Sequence, residues 1–326
     1  MKLDTLVNGA IRFGWARLSN TPMWSSVTLL LTFRCNQHCA YCDFPRHAGH
    51  ELTTGEWQTL MRGLRRSGTV RMGLSGGEPL LREDIGELSA TMAELGFLTS
   101  LTTNGTLLAE RLDDVRLIDF LFVTIEGDDQ SHDESRGDGS RAATIAGLEA
   151  ARRAGVRRLG IICPVHDGNV ASLEHSLRLA EDLQVRVYFQ PVQQRLGWRG
   201  ETFGQISSDG DIVDAFTRLQ AWKKAGRAVG NSSTFLDFMI RDRQVRRRPC
   251  KAGRFFGTIL PDGSALPCCM LPFEDALPVA RRDAPLETIR HLPAPLCDGC
   301  SISPYVENDA LLSFDLKAWR SALLWK

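Results

Sequence analysis

From Ser26 onward, short apolar runs alternate with longer amphipathic ones. The runs at 27–33, 70–74, 98–102, 119–125, 157–163 and 185–191 are rich in β-branched and aromatic residues, which predicts strands. Between them, apolar positions recur at helical spacing near 54–66, 83–95, 106–114, 140–154 and 171–183, and a further helix is predicted over 211–226. Helix starts are marked by Thr53 or Thr54 with Glu56, and by Ser140 ahead of an alanine-rich run. Each strand-plus-helix unit is long enough for a parallel crossover, and no hairpin signal interrupts the series. The pattern predicts an α/β fold whose parallel sheet forms a partial (β/α)6 barrel resembling a TIM barrel.

The flanks read differently. A helical stripe of Leu3, Leu6, Val7, Ala10, Ile11 and Ala16 predicts a helix over 1–21 that covers one end of the barrel. Only Arg12 and Arg17 would give it the basic face that a membrane-surface helix needs. The barrel is expected over 22–226 and an Arg-rich connector over 227–248, ending in Arg241, Arg243, Arg246, Arg247 and Arg248. That strip is read as a solvated face, with docking of an acidic partner or phosphate as the alternative. A small cysteine-rich unit follows over 249–326. It opens with a hairpin pattern, Phe255 to Leu260 and Ala265 to Pro267 around Pro261-Asp262-Gly263. Leu312, Leu316, Trp319 and Leu323 recur at helical spacing and are expected to be core.

Composition narrows the classes. The 326 residues are 43% hydrophobic and carry a formal net charge of zero, so no global field recruits nucleic acid or membrane. No signal peptide is recognisable and no run is long enough to span a bilayer. Nine cysteines without an export signal favour metal binding over a disulfide framework, and a cytoplasmic location is expected.

Seven of those cysteines form two constellations. Cys35, Cys39 and Cys42 stand on one loop after the first predicted strand, spaced Cys-x3-Cys-x2-Cys. Three thiolates can hold three irons of a 4Fe–4S cube and leave the fourth iron open to a non-protein ligand. A zinc knuckle completed by His38 or His47 is the alternative. The second constellation is Cys250, Cys268 and Cys297-x2-Cys300, with Cys269 adjacent. Polar motifs end the next three strands: Ser75-Gly76-Gly77-Glu78-Pro79, Thr102-Thr103-Asn104-Gly105, and Val123-Thr124-Ile125-Glu126-Gly127 followed by His132-Asp133-Glu134-Ser135-Arg136. Barrels gather their active sites at those strand ends.

This combination resembles the radical SAM superfamily. The resemblance implies that Cys35, Cys39 and Cys42 hold a 4Fe–4S cluster whose open iron chelates S-adenosylmethionine (SAM). Reductive cleavage would then give a 5′-deoxyadenosyl radical that abstracts a substrate hydrogen atom. Tyr41 matches the aromatic residue often found before the last Cys. Gly76, Gly77, Glu78 and Pro79 match the Gly-Gly-Glu motif, with Glu78 as acceptor for the methionine amino group. Thr103 and Asn104 would lie near the nucleoside, Thr124 and Glu126 near the ribose, and Arg136 at the methionine carboxylate. Relatives often carry Asp where this chain has Glu126.

The tail resembles the twitch domain, an abbreviated SPASM domain. By that likeness Cys250, Cys268, Cys297 and Cys300 hold an auxiliary 4Fe–4S cluster, and Cys269 is a spare or exchanges with Cys268. Structural zinc is the alternative there. Cys163, in the fifth predicted strand, is read as a small buried hydrophobe or as a thiol that returns a hydrogen atom to a substrate radical.

An enzyme of this kind takes electrons from a donor such as a flavodoxin or ferredoxin. Its substrate is expected to be a small sugar-like or other natural-product intermediate, because only 34 residues precede Cys35, too few for a leader-recognition domain. The arginine strip favours the alternative, radical modification of a ribosomally made peptide. A non-catalytic iron–sulfur carrier or zinc-stabilised binding module is the reading from another class.

Overall fold

Eight strands form one sheet among the described residues of the computed structural model, which are 14, 18–19, 21–39, 41–156, 158–193, 209–241, 250–279, 281–293, 302–313 and 316. The strands are β1 (Ser26–Leu30), β2 (Arg71–Ser75), β3 (Leu98–Thr103), β4 (Phe120–Thr124), β5 (Leu159–Val165), β6 (Arg186–Pro191), β7 (Phe256–Ile259) and β8 (Ala265–Leu266). Their order is β6-β5-β4-β3-β2-β1-β7-β8, and every pair is parallel except β7 with β8. Sequential parallel neighbours from β1 to β6 are the layout of a partial (β/α)6 barrel, as the alternation of runs predicts.

The helices are α1 (Thr54–Arg66), α2 (Ile85–Glu94), α3 (Leu112–Val115), α4 (Asp129–Arg136), α5 (Ser140–Arg153), α6 (Leu173–Asp182), α7 (Asp209–Lys224), α8 (Ser233–Arg241), α9 (Leu286–Ile289) and α10 (Ser303–Leu312). Thr53 and Glu56 start α1 with a capping box, each side chain taking the other's amide. At α5, Gly139 rather than Ser140 is the cap residue, and Asp133 of α4 accepts the amides of Gly139 and Arg141, both at 2.9 Å.

Strand periodicity divides the side chains between two faces. Met72, Leu74, Leu101, Leu121, Val123, Ile161, Cys163, Val187 and Phe189 are fully buried and share one core cluster with the helices. The residues between them, Gly73, Ser75, Ser100, Thr102, Phe122, Thr124, Ile162, Tyr188 and Gln190, are half-buried on the inner face.

Four expectations need correction. The predicted helix 106–114 reduces to Leu112–Val115, because Thr106 turns back to bond its amide and hydroxyl to the Asn104 carboxamide. The polar stretch after Glu126 is helical: Asp128 and Ser131 cap α4 reciprocally. The stretch read as a connector runs along β6 at Ala228 and Gly230, then forms α8 with Phe235, Leu236 and Met239 buried. Leu316, expected to be core, is 84% exposed.

The predicted hairpin is present, but it extends the main sheet, since β7 pairs with β1 in the register Ser26↔Phe256 to Leu29↔Ile259. Helix α10 then crosses the inner face. Its Ser303 amide donates to Gln190 of β6, Tyr305 meets Thr258 of β7, and Asn308 accepts from Arg71 of β2. The predicted N-terminal segment 1–21 apart from Gly14, Leu18, Ser19 and Thr21, the arginines at 243 and 246–248, Trp319, Leu323, Cys297 and Cys300 lie outside the described residues. No helix among the described residues is long and apolar enough to cross a membrane.

Candidate functional site

The loop that leaves β1 carries Cys35, Cys39 and Cys42, all half-buried with free thiols. Its stem is pinned by Arg82, which pairs with Asp84 and Glu51 and donates to the carbonyls of Leu31 and Leu52. Phe33 stacks on Phe273 from the C-terminal segment, with ring centroids 5.0 Å apart.

The turn after β2 fits against this stem. The Gly77 amide donates to Thr32 at 2.7 Å and the Glu78 amide to Arg34 at 2.8 Å. A Cβ on Gly77 would stand 2.1 Å from the Arg34 carbonyl oxygen, and one on Gly76, where φ is 141°, would stand 2.4 Å from that of Thr32. The backbone that approaches these glycines is the cysteine loop itself. Pro79 follows, buried at the start of a short 3-10 turn.

Glu78 points into the protein. Its carboxylate accepts from the Leu80 amide, the Thr103 hydroxyl and the Asn104 amide at 2.7–2.9 Å, so it joins the ends of β2 and β3. Burial pushes this carboxyl up, against those three donors. Asn104 in turn reaches the loop, donating to Asn36 at 2.7 Å and to the Cys35 sulfur at 3.9 Å.

The end of β4 meets the loop through Glu126. Tyr41 and Arg136 Nε both donate to Glu126 Oε1 at 2.5 Å, and Arg136 also reaches the Tyr41 hydroxyl and Gln37. His166, just past β5, places Nε2 2.7 Å from Glu126 Oε2. Burial alone would raise the Glu126 carboxyl, but Arg136, His166 and Tyr41 together hold it at about 2. Arg136 is 7% exposed, and the alternative of a solvated loop arginine is excluded. Thr124 is half-buried at the C-terminal end of β4.

His166 and Gln37 were missed in the sequence. A polar residue three positions past the predicted strand 157–163 was the available signal for His166. Gln37 showed only its place between Cys35 and Cys39.

Cys163 stands apart. It is fully buried on the helix side of β5, in the core cluster with Leu173 and Leu177 of α6, and donates to the Pro164 carbonyl at 3.5 Å. Burial pushes its thiol up to about 11. A hydrogen-atom donor must touch its substrate, and this sulfur faces away from the inner face.

The C-terminal cysteines Cys250, Cys268 and Cys269 pack with Met23, Ala252, Phe255, Phe256 and Tyr305. The amide two residues on points at sulfur in Cys250 and Cys268, each at 3.4 Å, as it does in Cys35. Cys269 instead accepts from the Tyr305 hydroxyl at 3.4 Å.

The loop's surroundings suit an iron–sulfur cluster carrying a polar ligand. Among the described residues no three His, Cys, Asp or Glu side chains gather closely enough for a single metal ion. The donor set is three cysteines. Burial pushes all three thiols up, Cys42 to about 11, so their ionisation calls for a cationic partner. Gln37 Nε2 is buried without a hydrogen-bond partner and is a donor left for a bound ligand.

Residues 29–180 match the Radical SAM superfamily. The chain also shares a fold with solved structures. SuiB of Streptococcus suis bound to S-adenosylmethionine aligns with TM-score 0.64 at 14% identity, over 78% of this chain and 63% of SuiB. The complex of SuiB with its precursor peptide SuiA aligns with TM-score 0.64 at 14% identity, over 79% and 62%. The structure of anSMEcpe with bound AdoMet and Cp18Cys peptide aligns with TM-score 0.64 at 14% identity, over 92% of this chain and 98% of that one. The chain thus spans less than two thirds of SuiB. The loop Cys35–Cys42 and the strand ends around it lie within the matched residues and form one candidate site.

Proposed function

We propose that this protein is a radical SAM enzyme that cleaves S-adenosylmethionine reductively at Cys35, Cys39 and Cys42 and abstracts a hydrogen atom from a substrate on the inner face of the sheet. A 4Fe–4S cluster with S-adenosylmethionine, when bound there, supplies the electron and the hydrogen-abstracting radical. The observation that carries the reading is the clamping of the three-cysteine loop to the ends of β2, β3 and β4 through Gly77, Asn104 and Glu126. Glu78 acts by locking two strand ends together. Backbone groups of Gly76 to Pro79 then remain for the methionine amino group, Thr103, Asn104 and Thr124 for the nucleoside, and Arg136 with Gln37 for the carboxylate. Glu126 orients Arg136 and Tyr41.

We assign Cys268, not Cys269, to an auxiliary cluster with Cys250, Cys297 and Cys300. Cys268 shares the amide-to-sulfur arrangement of Cys35 and Cys250, whereas Cys269 is engaged by Tyr305. The barrel at 22–226, the 249–326 unit, a flavodoxin or ferredoxin donor and a cytoplasmic location complete the proposal.

The hydroxyl and amide groups of Ser75, Ser100, Thr102, Thr124, Tyr188 and Gln190 on the inner face favour a hydroxyl-rich molecule, such as a sugar-like intermediate, as substrate. A peptide substrate is the second reading, supported by the folds shared with SuiB bound to SuiA and with anSMEcpe bound to a peptide.

The test is anaerobic reconstitution with iron and sulfide counted per chain, then assay of reductant-dependent 5′-deoxyadenosine release. Two clusters' worth of iron, about eight atoms, with cleavage supports the reading. Bound zinc without cleavage replaces it with a binding module.

A further inference from the structure

At the end of the sheet opposite the cysteine loop, a cavity of ≈ 520 Å³ opens at the first residues of β5 and β6. Five cations line it: Arg152 from the end of α5, Arg158 before β5, Arg186 at the start of β6, Lys223 near the end of α7, and Arg227. Among the described residues no carboxylate lines it. The chain as a whole carries no net charge, so this concentration of one sign is local.

Only Arg227 is fully matched. It pairs with Glu174 at 2.8 Å and Glu181 at 2.9 Å, and its guanidinium lies over Trp222. Arg158 has Asp119 at 4.0 Å. Arg152 spends its donors on the Leu183 carbonyl and the Gln184 carboxamide, and Lys223 on the Val229 carbonyl. Arg152, Arg186 and Lys223 have no carboxylate at ion-pair distance among the described residues. Burial and then Arg186 loosen the Lys223 proton, with Glu307 opposing them more weakly. Arg152, Arg186 and Lys223 are thus held beside one another without a carboxylate at ion-pair distance, an arrangement that an anion relieves.

We propose that this hollow binds a small phosphate-bearing molecule, at a site separate from the reaction site. Guanidinium forks match phosphate oxygens in pairs, and the volume is that of a small-molecule site. The walls are strand and helix ends, with Arg227 fixed by two carboxylates, so the cations are presented on a rigid frame. A hollow of this size suits a compact ligand better than an extended acidic peptide.

The test is calorimetric titration of the full reconstituted protein with inorganic phosphate, with pyrophosphate and with a hexaglutamate peptide, all at constant ionic strength. One saturable pyrophosphate site per chain is expected, weakened about tenfold in Arg152→Gln/Arg186→Gln and unchanged in Arg116→Gln, an exposed arginine elsewhere. Pyrophosphate binding tighter than phosphate identifies a phosphorylated metabolite; the reverse order identifies the free ion, and either supports the site. Arg186→Gln alone, an exposed strand-end change, serves if the double variant fails to fold, and should weaken binding about threefold. No saturable binding, binding unaltered in the variants, or tighter binding of hexaglutamate overturns the proposal. Release of 5′-deoxyadenosine should be unchanged in these variants.

Discussion

Glu126 and Arg136 form an ion pair 2.5 Å long, with the carboxylate fully buried and the guanidinium nearly so, and Tyr41 of the cysteine loop bonded to both. A buried pair adds little net stability over apolar residues, but breaking it strands a charge. Its value here is positional: it ties the loop to the end of β4. Glu126→Gln should therefore lower unfolding free energy by about 3–5 kcal/mol. Chemical denaturation of the metal-free protein measures this, and a loss below about 1 kcal/mol would place the pair in a wetter environment than this structure shows.

Gly77 carries the second prediction. Alanine there puts a Cβ 2.1 Å from the Arg34 carbonyl oxygen, which must displace the stem of the cysteine loop. Reconstituted Gly77→Ala should hold about four fewer irons than the wild type, with unchanged far-UV circular dichroism. Gly55→Ala in α1, where nothing lies within 4 Å, should keep its iron and gain up to about 1 kcal/mol of stability.

His132 should make stability depend on acid. Its Nδ1 accepts the Glu126 amide at 3.1 Å, which requires a neutral ring. Burial, with Arg136 beside it, lowers its pKa to about 4 from 6.5. Below 6.5 the unfolded chain binds the proton first, so the contribution is complete above 6.5 and is lost as pH falls toward 4. The loss is of the order of 3 kcal/mol, and His132→Asn should flatten the slope of denaturation midpoint against pH in that window.

Cys163→Ala should leave both 5′-deoxyadenosine release and product formation intact while costing about 1–2 kcal/mol of stability. Radical formation without product in that variant would return the thiol to the reaction.

The six parallel strands and the start of α1 were legible because strand period, crossover length and the Thr53–Glu56 cap are local signals. So was the grouping of Cys35–Cys42, Gly77, Asn104 and Glu126, since each follows a strand and a parallel sheet brings strand ends together. What escaped depends on tertiary contact. Nothing near Glu78 in sequence says that Thr103 and the Asn104 amide will claim its carboxylate. Strand alternation places Cys163 with Ile161 and Val165 on one face, but only the packed helix α6 shows that this face is the outer one. The hairpin's union with β1 and the crossing of the inner face by α10 join residues more than 100 positions apart, for example Ser303 and Gln190. No periodicity encodes such pairs.

The central claim is that Cys35, Cys39 and Cys42 present an iron open to S-adenosylmethionine. The most direct measurement is the electron paramagnetic resonance of the reduced cluster in Cys250→Ala/Cys268→Ala, which keeps only the loop's cysteines and Cys269 among the candidate ligands before Cys297. A signal from one cluster that shifts on adding S-adenosylmethionine, and that disappears in Cys39→Ala, is the predicted result. A signal indifferent to S-adenosylmethionine, or tightly bound zinc in its place, contradicts the account.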